Sequence, residues 1–363
     1  MSMPKLWQEL RPFLKLYKVH LKWMLLGIIC GIVAMASAVG LLALSGWFIS
    51  AAAYAGLTVA TAQLFNFFHP SIGVRMFAIG RTLARYAERI VSHDATFRIL
   101  QSLRTWFYLK LEPLAPARLM MYRSADVLNR IVSDIDALDN LYLRVLSPST
   151  VALATSFLVV AFSWIFDSAI AISTAAYLAM AGFCVTAAAL RLGEPCGHEI
   201  AYHSAELRMQ IIEILQGLTD LLVFNAHHDR LKTVIRSNRA LLRSQLRMSH
   251  IRGLSMALIT MIAGLAVLTA LFLAVNKVRL ELLDGANLAL IALAILACFE
   301  AVLPLPTAYQ YLGRTRAAGR RLLEIVETEP EITYPETTAT LSRGPGITFE
   351  NICFRYNEID PLA

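Results

Sequence analysis

Long apolar runs, separated by very short or very long polar segments, constrain the fold more than any other feature of this sequence. A membrane helix needs about 20 apolar residues, and five runs approach or exceed that length, at 23–50, 145–166, 169–190, 254–275 and 286–303. A further helix is predicted to enter before Val74 and to continue to Glu112. Since 57% of the residues are hydrophobic and 16% charged, the chain falls outside the range of soluble domains. The sequence predicts an all-α membrane domain with six spans.

The distribution of positive charge predicts how these spans are oriented. Of the 33 Lys and Arg residues, Lys277 and Arg279 alone fall on one side of the predicted bilayer, and the other 31 are assigned to the opposite side. Because positive charge is enriched in cytoplasmic loops, we expect both termini and two long helical excursions to be cytoplasmic. No basic cluster accompanies a nucleic-acid-binding module, so a nucleic-acid partner is not expected.

Metal and disulfide sites are not indicated. The five cysteines show no CxxC spacing, and three of them lie within apolar spans. His227, His228 and Asp229 are adjacent, but three consecutive residues rarely converge on one ion, so we expect a turn there. The prediction is that the chain holds no metal ion.

A stripe of cations enters the second predicted span. Arg81, Arg85, Arg89 and His93 recur every four residues, which places them along one helix face. Arg75 precedes them within apolar sequence, where a cation costs about 3 kcal/mol or more unless it is paired or hydrated. We therefore expect these side chains to face a polar cavity instead of lipid.

Glu300 is a second ionisable residue within a predicted span. We hypothesise that Glu300, Arg75 and Arg81 line a translocation cavity, with Glu300 and Arg75 lining or bridging it, because neither residue is stable against lipid. The alternative is a structural ion pair that only fixes how the helices pack.

The sequence changes character after residue 329. Residues 330–346 are rich in Thr, Pro and Gly and read as a linker, and Ile347 to Tyr356 alternate as a β-strand does. We expect a membrane domain at 1–329, followed at 347–363 by the start of a soluble domain that is not completed.

Four segments resemble a known family: LSGWFISA (Leu44–Ala51), RYAERIVSHDATFR (Arg85–Arg98), DNLYLRVLSP (Asp139–Pro148) and CFEAVLPLPTAYQYLG (Cys298–Gly313). They are similar to the membrane half of type IV ABC exporters, and most closely to the C-type subunits of the heterodimeric CydDC exporters that bacteria need for cytochrome bd assembly. The resemblance covers essentially the whole chain.

The resemblance implies a six-helix type IV transmembrane domain in the bacterial inner membrane, with long cytoplasmic helical extensions. Coupling helices would lie near 114–122 and 225–230 and dock on nucleotide-binding domains. The partner would be a homologous D-type half-transporter, and the cargo a small thiol (cysteine or glutathione) or a haem-related molecule.

The resemblance also implies that ATP and Mg²⁺ bind a nucleotide-binding domain of which 347–363 would be the first, truncated part. Tyr356 matches the aromatic residue that stacks on adenine. No G-x-x-x-x-G-K-[ST] motif occurs in the sequence, so we expect no ATP hydrolysis by this chain alone. Whether the chain is a truncated product or an incomplete sequence stays open.

Haem binding is implied for His93, with Arg85 and Arg89 as partners of the propionates, since imidazole ligates iron and guanidinium pairs with carboxylates. The alternative is an exposed histidine without a ligand. Two other functions stay open: a membrane scaffold that binds haem without transporting it, and half of a lipid or drug exporter.

Overall fold

The computed structural model describes residues 12–13, 15–115, 118–119, 127–128, 130–329 and 350. The predicted linker at 330–346, the predicted strand with Tyr356, and most of the first predicted coupling helix at 114–122 lie outside the described residues.

All regular elements in the described ranges are helical. They are α1 Leu21–Ala55, α2 Val59–Leu64, α3 Phe68–Leu111, α4 Ile135–Asn140, α5 Ser147–Trp164, α6 Ser168–Ala179, α7 Thr186–Gln216, α8 Leu218–Val223, α9 His227–Arg279, α10 Asn287–Val302 and α11 Leu305–Val326. Two pairs of these run on as single long helices through π-helical turns, α4 with α5 as Arg130–Trp164 and α6 with α7 as Ser168–Gln216.

Five helices are long and apolar enough to cross a membrane, which supports a multi-pass membrane protein. They are Lys15–Ala55, Arg130–Trp164, Ser168–Gln216, His227–Arg279 and Asn287–Gln310. Helix α3, with 44 residues, is not among them. Its arginines lower the hydropathy of the segment, as the cation stripe in the sequence already indicated.

The bundle has two different ends. At the short-turn end, tight turns at 165–167 and 280–286 connect neighbouring helices. At the long-helix end, α3, α7 and α9 extend past the apolar runs and carry most of the charged residues. A separate hydrophobic cluster packs there, and it includes the buried side chains of Phe13, Tyr17, Leu138, Tyr142 and Leu322.

The turn between α5 and α6 has the form that the sequence predicted. Asp167 caps α6, because its Oδ1 accepts a hydrogen bond from the backbone N–H of Ala169 at 2.8 Å. Its Oδ2 lies 2.6 Å from Nζ of Lys277, the penultimate cation of α9. The carboxylate of Asp167 therefore caps the beginning of α6 and also holds the C-terminal end of α9.

Helices α1 and α3 pack closely along their length because α1 presents glycine to α3. A Cβ atom added at Gly27 would lie 2.6 Å from Ser92 Oγ and 2.8 Å from the hydroxyl of Tyr142. One turn later, a Cβ at Gly31 would lie 3.6 Å from Cγ of Glu88 on α3 and 2.9 Å from Cγ2 of Val151 on α5. The Gly-x-x-x-Gly spacing thus permits the close contact that such spacing allows in membrane helices.

Candidate functional site

A cavity of about 790 Å³ lies inside the bundle, between α1, α3, α9, and the segments around residues 143–151 and 300–308. The ionisable side chains that line it are Arg85, Glu88, Arg89, Arg144, Arg252 and Glu300. With four arginines and two glutamates, the lining carries an excess of positive charge at neutral pH. A concave, cationic lining favours an anionic occupant.

Helix α3 supplies half of these charges within little more than one turn. Arg85, Glu88 and Arg89 share the face that looks onto α1 and the cavity. An Nη atom of Arg85 lies 3.8 Å from the sulfur of Met35, and Ser92 Oγ donates to the carboxylate of Glu88 at 3.5 Å. The close α1–α3 packing therefore positions both charges relative to α1.

Three of the cavity arginines lack an internal counter-ion. In the described part of the chain, none of Arg85, Arg89 and Arg252 has a carboxylate within 4.0 Å. All three side chains are exposed, so their guanidinium groups are available to a bound carboxylate, which would form charge-assisted hydrogen bonds with them.

Glu300 pairs with Arg81. Their charged atoms lie 3.8 Å apart, and both side chains are partly exposed. Arg75, which the sequence paired with Glu300, is exposed and does not line the cavity. It lies six residues before Arg81, about 9 Å further along the helix, and this distance explains why Arg81 is the residue beside Glu300.

The chain is similar in sequence to named bacterial transport proteins. The chain is 40% identical, over 353 residues, to the glutathione/L-cysteine transport system ATP-binding/permease protein CydC of Escherichia coli (strain K12). It is 36% identical over 358 residues to the protein of the same name from Haemophilus influenzae. The chain is thus a relative of these CydC proteins. These alignments cover 97% and 98% of the chain and 61% of each relative.

The chain is also similar to a more distant protein. CydD of Bacillus subtilis (strain 168), also named as a glutathione/L-cysteine transport protein, is 26% identical over 349 residues, which are 94% of the chain and 58% of CydD. No protein-family model matches the chain. The chain spans about three fifths of the length of the CydC proteins that it matches.

The three predicted haem residues do not all line one cavity. Arg85 and Arg89 line the cavity and His93 does not, although all three side chains are exposed. The ring of His93 lies 6.4 Å from that of Phe97, on the next turn of α3. Within the described residues, these side chains therefore do not form a closed haem pocket.

Sequence reasoning missed three of the charged residues that line the cavity. Glu88 lies between two residues that it singled out, one helix turn after Arg85. Arg144 and Arg252 lie at the beginning of predicted spans, directly before apolar sequence. The signal that drew attention to Arg75, a cation at the margin of an apolar run, would also have found these two arginines.

The second predicted coupling region, at 225–230, contains a chain reversal. The short helix α8 ends at Val223, and Asn225 adopts a left-handed conformation with φ of 52° before α9 begins at His227. Asparagine tolerates this conformation better than most residues. Phe224, at the tip, is 80% exposed, so the chain presents an apolar side chain at its long-helix end.

Proposed function

We propose that the chain is the membrane half of a heterodimeric, ATP-driven ABC exporter that moves small thiols, cysteine or glutathione, across the bacterial inner membrane. Its partner is a homologous D-type subunit, and ATP with Mg²⁺ acts on nucleotide-binding domains. The observation that carries the proposal is the cation-lined cavity between membrane helices. It is supported by the names of the relatives, which describe glutathione/L-cysteine transport.

The chemistry of glutathione matches the lining of the cavity. At neutral pH the tripeptide carries two carboxylates and one ammonium group. Guanidinium groups bind carboxylates through paired, charge-assisted hydrogen bonds, which assigns the carboxylates to Arg85, Arg89 or Arg252. Glu88 and Glu300 are the acceptors available to the ammonium group. The volume of about 790 Å³ lies within the range of small-molecule sites.

Helix α3 is the sixth span in this proposal. Arg85 and Arg89 line the cavity and Arg81 pairs with Glu300, so low hydropathy does not exclude α3 from the membrane. Six spans place both termini on the same side, and the excess of Lys and Arg at the long-helix end makes that side cytoplasmic. The cargo cavity then lies within the bilayer, between spans whose extensions reach into the cytoplasm.

The long-helix end transmits motion in this account. Two side chains of α11 join it to the preceding helix: Arg321 pairs with Asp134, and the buried Thr315 donates to the backbone carbonyl of Ala137. Rigid helices that are joined in this way can convert a movement of nucleotide-binding domains into alternating access of the cavity. The reversal at Asn225 and the coupling helix predicted near 114–122 are the proposed docking points.

Haem-related cargo is the second candidate, including a scaffold that binds haem without moving it. One observation favours it: His93 is exposed on the α3 face that carries Arg85 and Arg89, one turn after Arg89. When bound, haem would take the imidazole of His93 as an axial ligand, and the arginines would pair with its propionates. Loss of the Soret band in folded His93→Ala, with wild-type binding as the reference, tests this candidate.

Uptake into inverted membrane vesicles tests the proposed function. Vesicles that contain the full-length protein and its D-type partner should accumulate labelled glutathione or cysteine when ATP is supplied. They should not do so with a non-hydrolysable analogue. Binding of haem without accumulation of any thiol would contradict the exporter and favour the scaffold, and accumulation of lipids or drugs instead would indicate a different exporter class.

A further inference from the structure

Helix α9 exposes one continuous face whose chemistry changes abruptly along its length. Between residues 232 and 250 this face is basic; its exposed cations are Lys232, Arg236, Arg239, Arg243 and Arg247, followed by His250. From residue 254 the same face is apolar, with exposed Leu254, Met261, Leu265, Leu268 and Phe272. Because an α-helix turns about 100° per residue, all these side chains lie within one sector of the surface of α9 that is about 100° wide.

The opposite face of α9 is already occupied. Ser237, Leu241, Ser244, Ile259 and Ala266 are buried against the rest of the bundle. The cationic and apolar face is therefore not needed to hold α9 in the described fold.

A shallow groove, open to its surroundings and formed by α9 alone, lies where the two halves of this face meet. It is lined by Arg243, Leu246, Arg247, His250 and Leu254, with Gly253 between them. A Cβ atom added at Gly253 would meet nothing within 4 Å. The groove is therefore open and combines guanidinium groups with leucine side chains.

The position of the groove along α9 coincides with the edge of a membrane. Leu254 begins the apolar part of the helix, and at 1.5 Å per residue His250 and Arg247 lie about 6 and 10 Å before it. A headgroup layer is about 5–8 Å deep on each side of the hydrocarbon. Arg243 is the outermost cation of the groove, about 16 Å before Leu254, and its long side chain can extend towards a headgroup.

We propose that this groove binds an anionic phospholipid, with its phosphate at Arg243 and Arg247 and its acyl chains along Leu254 and the apolar residues that follow. The positive charge of the two arginines favours an anionic occupant. In the described residues Arg243 has no carboxylate within 4.0 Å, and Arg247 has one weak contact, 3.7 Å to Glu199. A soluble anion would match the arginines but would leave the leucines exposed. The proposal depends on α9 crossing a bilayer and does not depend on the cargo.

The test is a lipid titration of the full-length complex in detergent, read as the rise in its thermal unfolding midpoint. Phosphatidylglycerol should stabilise the wild type, whereas phosphatidylcholine and inorganic phosphate should not. A surface arginine contributes about fivefold to such binding, so Arg243→Gln with Arg247→Gln should weaken the apparent affinity about 25-fold. Arg236→Gln, about 27 Å before Leu254, is the matched control and should change it less than fivefold.

A photoactivatable phosphatidylglycerol provides a second readout that needs no variant. In the wild-type complex it should cross-link within residues 243–257. Equal stabilisation by phosphatidylcholine or by inorganic phosphate, unchanged affinity in the double variant, or cross-links elsewhere only would overturn the proposal. Dissociation of the subunits in the double variant would also overturn it, because the face would then be a subunit interface. Failure of thiol uptake with normal lipid binding would contradict only the proposed cargo.

Discussion

Arg321 forms a two-point ion pair with Asp134, a carboxylate that is only 3% exposed. Nε of Arg321 donates to one carboxylate oxygen at 2.8 Å, and a second nitrogen donates to the other oxygen. The backbone carbonyl of Arg321 accepts a hydrogen bond from Arg130 at 2.7 Å. These contacts hold α11, which follows the predicted sixth span, against the helix Arg130–Trp164, which contains the predicted third span.

Removal of this pair should weaken the long-helix end. Arg321→Gln leaves the carboxylate of Asp134 buried without its guanidinium, and breaking a buried pair costs about 3–5 kcal/mol. Since the side chain of Arg321 is itself 46% exposed, we expect about 3 kcal/mol, measured as the free energy of unfolding. Asp134→Asn with Arg321→Gln should cost less than the sum of the single changes. Strictly additive losses would show that the two residues do not interact.

The α1–α3 contact should not tolerate a methyl group at Gly27. Gly27→Ala places a Cβ within 2.8 Å of Ser92 Oγ and the Tyr142 hydroxyl, and overpacking of this kind costs about 1–3 kcal/mol. Gly264→Ala is the matched control, because its Cβ would meet nothing within 4 Å and alanine is the better helix former. Thermal unfolding should separate the two variants, and an equally stable Gly27→Ala would refute the close contact.

The cavity arginines should determine affinity for an anionic thiol. Arg85→Gln or Arg89→Gln removes a charge-assisted hydrogen bond worth about 1.5–3 kcal/mol, so glutathione binding to the full complex should weaken at least about tenfold. Arg104→Gln, on the same helix but paired with Asp136 at 2.8 Å outside the cavity, is the control. Calorimetric titration measures both, and comparable losses at Arg104 and Arg85 would exclude a specific site.

Stability should depend on pH at the short-turn end. The hydrogen bond from Lys277 lowers the pKa of Asp167 below its ordinary value. A lowered carboxyl pKa adds stability above the unfolded pKa of about 3.9, and this stability is lost as the pH falls through the folded value. Lys277→Gln should therefore be less stable than the wild type at neutral pH, by about 1 kcal/mol, and the difference should shrink below about pH 4. A difference that is constant down to pH 2 would contradict this origin.

The helical bundle was largely predictable, because apolar length and turn residues are local signals. The apolar runs predicted the five membrane-capable helices, and Asp167 with Ser168 predicted the turn between α5 and α6. Both depend on residues that are neighbours in sequence.

The composition of the cavity was predictable only in part. The four-residue spacing placed Arg85 and Arg89 on one face, and the structure brings both to the cavity. Whether Glu300 would meet Arg75 or Arg81 depends on how α3 and α10 are aligned, which tertiary packing sets. The same holds for Arg144 and Arg252, which reach the cavity from other helices.

The central claim is that α3 crosses the bilayer and carries its arginines into the cavity, and labelling of its two ends tests this most directly. In an otherwise cysteine-free chain within the full complex, Leu64→Cys and Tyr108→Cys place a thiol at exposed positions just before α3 and near its end. An impermeant maleimide added to intact cells should label the first, and should label the second only after permeabilisation. Labelling of both positions from the same side would contradict the account.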